Sequence, residues 1–155
     1  MTAKAEFNAE EWAVVAGAPL LTAMMVIAAD RGGSVRESVA VAKAYAEARD
    51  KHDGEFMSAL LASPPAASVQ RPDSSDDLHE QATATLREAI SILERVGTED
   101  EVIEYKRFVY ALAESVARAH KEGGFLGIGG KRKEISEPEQ AALDEIAAIF
   151  DEGPA

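Results

Sequence analysis

The sequence predicts an all-α fold: a single-domain bundle of about seven helices, built from two related helical hairpin units. Three observations carry this expectation. Hydrophobic residues make up 46% of the 155 residues while aromatics are only 6%, and alanine is abundant. Alanine is the best helix former, whereas strands favour aromatic and β-branched residues. Apolar residues recur at helical spacing through most of the chain, and no segment alternates with the period of two that a half-buried strand requires. Finally, a capping residue is followed three places later by Glu at Asn8/Glu11, Ser34/Glu37, Thr98/Glu101 and Ser136/Glu139. That spacing satisfies two free amides at a helix start reciprocally.

The elements follow in order. Asn8 and Glu11 open a short helix over about 9–16, which Gly17 breaks. Pro19 suits the first turn of the next helix, about 19–30, because no amide hydrogen is missed there. "PLLTAMMVIAA" is apolar nearly all round, so this second helix is expected at the centre of the core. A third helix spans about 35–51 with Val35, Val39, Ala42 and Ala46 as its inward stripe. "GEFMSALLAS" is a short fourth helix. Residues 63–75 hold three prolines and several serines and read as a linker between the halves. A long amphipathic helix over 76–97 places Leu78, Ala82, Ala89, Ile90, Leu93 and Val96 inward and ends at Gly97. Thr98 opens a helix reaching about His120, with Tyr105, Val109, Leu112, Val116 and Ala119 on one face. A Gly-rich loop over 123–135 leads to the last helix, with Leu143, Ile146, Ala147 and Phe150 inward.

The length suits one domain with a true core. Net charge is −12 and the acid is unevenly spread. Residues 1–75 carry seven Lys/Arg against ten Asp/Glu; residues 76–155 carry nine against eighteen. A phosphate backbone is repelled by such a surface, so no nucleic-acid partner is expected. With no cysteine, disulfides, thiolate catalysis and Cys-type zinc sites are excluded. Eighteen residues from Trp12 to Ala29 carry no charge, the lower limit for a membrane span. Gly17, Pro19 and Thr22 interrupt them and six are alanine, so a buried core and no transmembrane segment are expected. The first dozen residues lack the basic start of a signal peptide. The expectation is a cytoplasmic protein.

Two corners share one construction. "VIAADRGG" leads to "SVRE" and an alanine-rich helix; "VARAHKEGG" leads, after eleven inserted residues, to "SEPE" and another. Gly32 or Gly33 can end one helix and Ser34 with Glu37 can start the next, so the first corner needs no ligand to explain it. In "GGFLGIGGKRK" the amides and Lys131, Arg132 and Lys133 make a candidate anion, headgroup or partner contact. Gly124 and Gly129 have phosphate-loop spacing, but Gly130 stands where the lysine belongs. His52, His79 and His120 are scattered, and His79-Glu80 does not extend to a zinc motif because Thr83 fills the needed place. No enzyme is expected.

These same corner residues resemble the two halves of the TerB-like, tellurite-resistance family. Ala29, Asp30, Gly32, Gly33 and Glu37 match its Ala-Asp-Gly signature and following Glu with Arg31 as one extra residue; Ala119, Gly123, Gly124 and Glu139 match more loosely. The resemblance implies an all-helical duplicated fold and a non-enzymatic binding or scaffold role in a stress-response system. It also implies a protein partner or a peripheral complex at the membrane surface. Carried over, it makes Asp30 and Glu37, and more weakly Glu139, ligands of a divalent cation, Ca or Mg, for which oxygen donors are suited. In the second corner His120-Lys121-Glu122 replaces the expected Asp, and Lys121 opposes a cation there.

Overall fold

A proline in the middle of a helix removes one amide and orphans the carbonyl four residues earlier. In the computed structural model, which describes residues 3–29, 35–62, 74–122 and 135–152 (side chains of 35–38, 75 and 120–122 apart), this happens at Pro19 without breaking the helix. Helix α1 runs unbroken over Ala9–Ala29. The carbonyl that Pro19 leaves free belongs to Val15. The Tyr105 hydroxyl donates to it at 2.7 Å from another helix. The expected break at Gly17 and the two separate helices are thus corrected to one, because a tertiary donor replaces the lost backbone bond. Three residues on, Thr22 Oγ1 donates to the Ala18 carbonyl at 2.8 Å, so the buried hydroxyl is also satisfied within the helix.

After a 3-10 turn at Lys4–Glu6 and α1 come α2 (Val35–Lys51), α3 (Glu55–Ala62), α4 (Ser75–Val96), α5 (Glu99–Glu122) and α6 (Glu137–Asp151). The described residues therefore form an all-helical bundle of six α-helices with no strand. Three of the expected helix starts have the expected bonds. Asn8 and Glu11 exchange amide and side chain at 3.0 and 2.8 Å. Thr98 and Glu101 do so at 2.9 and 3.2 Å. Ser136 and Glu139 do so at 3.2 and 3.4 Å. The Ser34/Glu37 corner with its glycines, residues 63–73 of the expected linker and residues 123–134 of the Gly-rich loop lie outside the described residues. The linker's last two residues belong to α4. Ser74 Oγ accepts from the Asp77 amide at 3.1 Å, and Ser75 begins the helix.

Contacts along the helices fix their directions. Glu11 near the start of α1 meets Arg95 near the end of α4, while Met25 and Ala28 near the end of α1 stand beside Asp76 and His79. Helices α1 and α4 are therefore antiparallel, and theirs is the most extensive helix pair in the molecule. Helix α6 runs alongside α4 in the same direction: His79 meets Glu145 and, further along, Arg87 meets Glu152. Helix α2 is antiparallel to α5, with His52 by Glu104 at one end. Tyr45 meets Phe108 edge-on further along, ring centres 5.2 Å apart.

The core is drawn from every helix. Val15, Ala18, Ala23 and Val26 of α1 are fully buried, as are Val109, Leu112 and Val116 of α5. Leu93 of α4 and Ile146 of α6 join them. The face of α2 differs from its expectation. Val39 is 60% exposed and Ala42 and Ala46 face solvent, while Tyr45 and Ala48 are buried. Alanine lies on every side of this helix, so the alanine pattern does not choose a face. The large ring of Tyr45 does, since burying it removes the most apolar surface from water.

At the start of α1, Phe7, Trp12 and Phe56 pack with ring centres 5.4 to 6.3 Å apart, and Lys4 lies over Trp12. Gly97 closes α4 without a left-handed backbone; its φ is −89°. A Cβ there would stand 2.9 Å from the Leu93 carbonyl oxygen, so close approach is what requires glycine.

Candidate functional site at the corner end of the bundle

Several helix ends meet at one end of the described bundle. The end of α1, the start of α4 and the start of α6 enclose a cleft of about 310 Å³. Because α2 runs against α5, the start of α2 and the end of α5 belong to this end too. Met25, Ala28 and Ala29 form one apolar wall, and Pro138, Ala141 and Ala142 form another. The polar groups are Asp76 and His79 from α4 and Glu145 from α6.

Each polar group is placed by ordinary helix physics. Asp76 and His79 are three residues apart and so share a face of α4. The parallel run of α6 sets Glu145 opposite His79, with His79 Nε2 2.7 Å from Glu145 Oε2. An ionised carboxylate only accepts, so Nε2 carries the hydrogen and the imidazole ring is oriented by it. Both side chains are nearly half exposed, so the pair is solvent-screened and contributes under about 1 kcal/mol to stability. With two carboxylates and one imidazole, the cleft is suited to a cationic or donor-rich group.

Glu139, expected as a weak cation ligand, is fully buried at the first turn of α6. Its Oε2 accepts from the Ser136 amide at 3.2 Å and from the Ser136 hydroxyl at 3.1 Å. Its Oε1 is buried with no hydrogen-bond partner among the described residues. Asp30 and the trio Lys131, Arg132 and Lys133 lie outside the described residues, as does the Glu37 side chain. Among the described residues no three His, Asp or Glu side chains gather closely enough to hold a metal ion.

Sequence reasoning did not single out the cleft. Asp76 and His79 carried the only legible signal, their spacing on one helix face. Nothing in the sequence pairs His79 with a residue 66 places away. His52 is likewise set beside a carboxylate, with Nδ1 3.7 Å from Glu104 Oε2.

Among the described residues one helix, α1, is long and apolar enough to cross a membrane by length and composition; half of its apolar window is buried inside the bundle. Comparison with models of known protein families, with curated proteins and with solved structures finds no match to this chain.

Proposed function

We propose that the chain is a TerB-like, non-enzymatic binding or scaffold module of a tellurite-resistance or stress-response system. In this reading it is cytoplasmic, and its partner is a protein or a complex at the membrane surface. One observation carries the reading. The second helix of each corner pair packs on the first helix of the other, α2 on α5 and α6 on α1, as an internal duplication with approximate two-fold exchange would arrange them. The acidic cleft lies between the end of α1 and the starts of α4 and α6. Lys131, Arg132 and Lys133 belong to the segment just before α6, and in this proposal they contact the partner or an anionic headgroup.

The test is growth of a deletion strain in graded tellurite. Deletion is expected to lower tolerance, wild-type chain to restore it, and the pair Asp76→Lys with Glu145→Lys to restore it poorly. Unchanged tolerance on deletion rejects the stress-system role.

A second reading, a divalent-cation sensor or buffer using Asp30, Glu37 and Glu139, is favoured by one feature: the buried Oε1 of Glu139, which has no hydrogen-bond partner among the described residues. Two or three carboxylates need carbonyls or water to complete a Ca or Mg shell. Calorimetric titration with calcium, magnesium, manganese and zinc tests it. Binding heat that survives Asp30→Ala removes the site as placed.

A further inference from the structure

On a chain of net charge −12, one groove carries two exposed cations that form no ion pair among the described residues. It lies between α2 and α5 and holds about 250 Å³. Its floor is apolar: Ala44 and Ala48 from one helix, Phe108, Ala111 and Leu112 from the other. The lining residues span 44–51 on α2, with His52 just beyond it, and 107–115 on α5, a length of roughly 12 Å, or two helical turns. The small side chains let a third backbone approach the floor closely.

The charges at this groove are not evenly matched. Glu47, which also lines the groove, lies 3.9 Å from Lys43, and His52 Nδ1 lies 3.7 Å from Glu104. Lys51 and Arg107 line opposite walls, are exposed, and form no ion pair with a described residue. Arg107 also borders a second shallow depression beside Tyr110 and Phe150. An apolar floor between these exposed cations favours a partner that brings both apolar surface and negative charge.

We infer that the α2–α5 groove docks an acidic amphipathic helix of a protein partner. Its apolar face lies on Ala48, Ala111 and Phe108, and its flanking carboxylates meet Lys51 and Arg107. This is the helix-in-groove mode, read by anchors one turn apart. The inference rests on the binding-module reading and names the surface and the partner chemistry for it.

The probe is a blocked synthetic peptide of about 18 residues with Leu at helical a/d spacing and Glu elsewhere. Two controls accompany it: the same peptide with Lys for Glu, and a scrambled Glu/Leu peptide with no apolar face. Amide shifts of the protein are followed by NMR during titration. The Glu peptide is expected to move Ala44, Ala48, Ala111 and Ser115, and the controls to leave them in place. Arg107→Glu together with Lys51→Glu is expected to weaken the Glu peptide at least tenfold. Both positions are exposed, so the thermal midpoint of the variant stays close to wild type. Unmoved groove resonances, or equal affinity in the double variant, overturn the inference. Sedimentation gives a third outcome that also overturns it: self-association abolished by Arg107→Glu makes the occupant a second copy. A failed titration beside a tellurite-sensitive deletion strain removes the surface and leaves the proposed function standing.

Discussion

Two buried tyrosines sit near each other in this core and make opposite demands. Tyr105 donates to the one carbonyl that Pro19 leaves without a backbone donor. Tyr105→Phe therefore strands a buried acceptor, at a cost of about 1–3 kcal/mol. Made in a Pro19→Ala background, where an amide is again available, the same change is expected to cost less; a double-mutant cycle in urea reads the difference. Equal costs in both backgrounds reject the latch. The Tyr45 hydroxyl is buried with no hydrogen-bond partner among the described residues. Tyr45→Phe removes it without loss of a bond and is expected to raise stability by about 1 kcal/mol. Burial pushes the Tyr45 hydroxyl up from 10.0 to about 12, against a smaller opposing pull from Arg49. The folded state then holds this proton where the unfolded chain releases it. The contribution is full below pH 10 and is lost as pH rises towards 12. Urea midpoints across that window are expected to fall more steeply for wild type than for Tyr45→Phe. Neither role is written in the sequence, because a tyrosine's partner is set by which helix crosses it.

At the scale of the helices, glycine has two distinct meanings here. Gly17 lies inside α1, and beyond its own turn of helix no heavy atom comes within 4 Å of a Cβ placed there. Gly17→Ala is expected to stabilise by about 0.5–1 kcal/mol, through helix propensity alone. Gly97→Ala drives a methyl group to 2.9 Å from a carbonyl oxygen and is expected to lower the melting temperature. A calorimetric scan of the two variants separates them by sign. Helix starts were legible because a capping pair is local chemistry: Asn8/Glu11, Thr98/Glu101 and Ser136/Glu139 all make their bonds. The unbroken course of α1 was not legible, since Gly17 and Pro19 read locally as a stop and a start. What overrides them is a hydroxyl 90 residues away. The inward face of α2 was misread for a related reason. Its alanines are nearly uniform round the helix, and only packing against Phe108 selects the side that carries Tyr45.

For the whole molecule, the all-helical class followed from composition and period, while the cleft depended on helix directions that no single segment encodes. Asp76 and His79 share a helix, but Glu145 reaches them only because α6 runs parallel to α4. The excess of carboxylates has its own consequence. The net charge of −12 is large enough for self-repulsion to work against the folded state. Raising ionic strength from about 0.01 M to 0.5 M shortens the Debye length several-fold and screens that repulsion. The thermal midpoint is expected to rise by a few degrees; a fall would assign the larger share to the surface ion pairs at Arg87–Glu152 and His79–Glu145.

The chain has a single tryptophan, and it lies at the start of α1 among Phe7 and Phe56. The corner cleft opens beside Ala28, sixteen residues further on, roughly 24 Å along the helix axis. Intrinsic fluorescence will therefore track global denaturation faithfully yet stay silent when a molecule enters the cleft. A label attached near the start of α6 supplies the missing optical readout there.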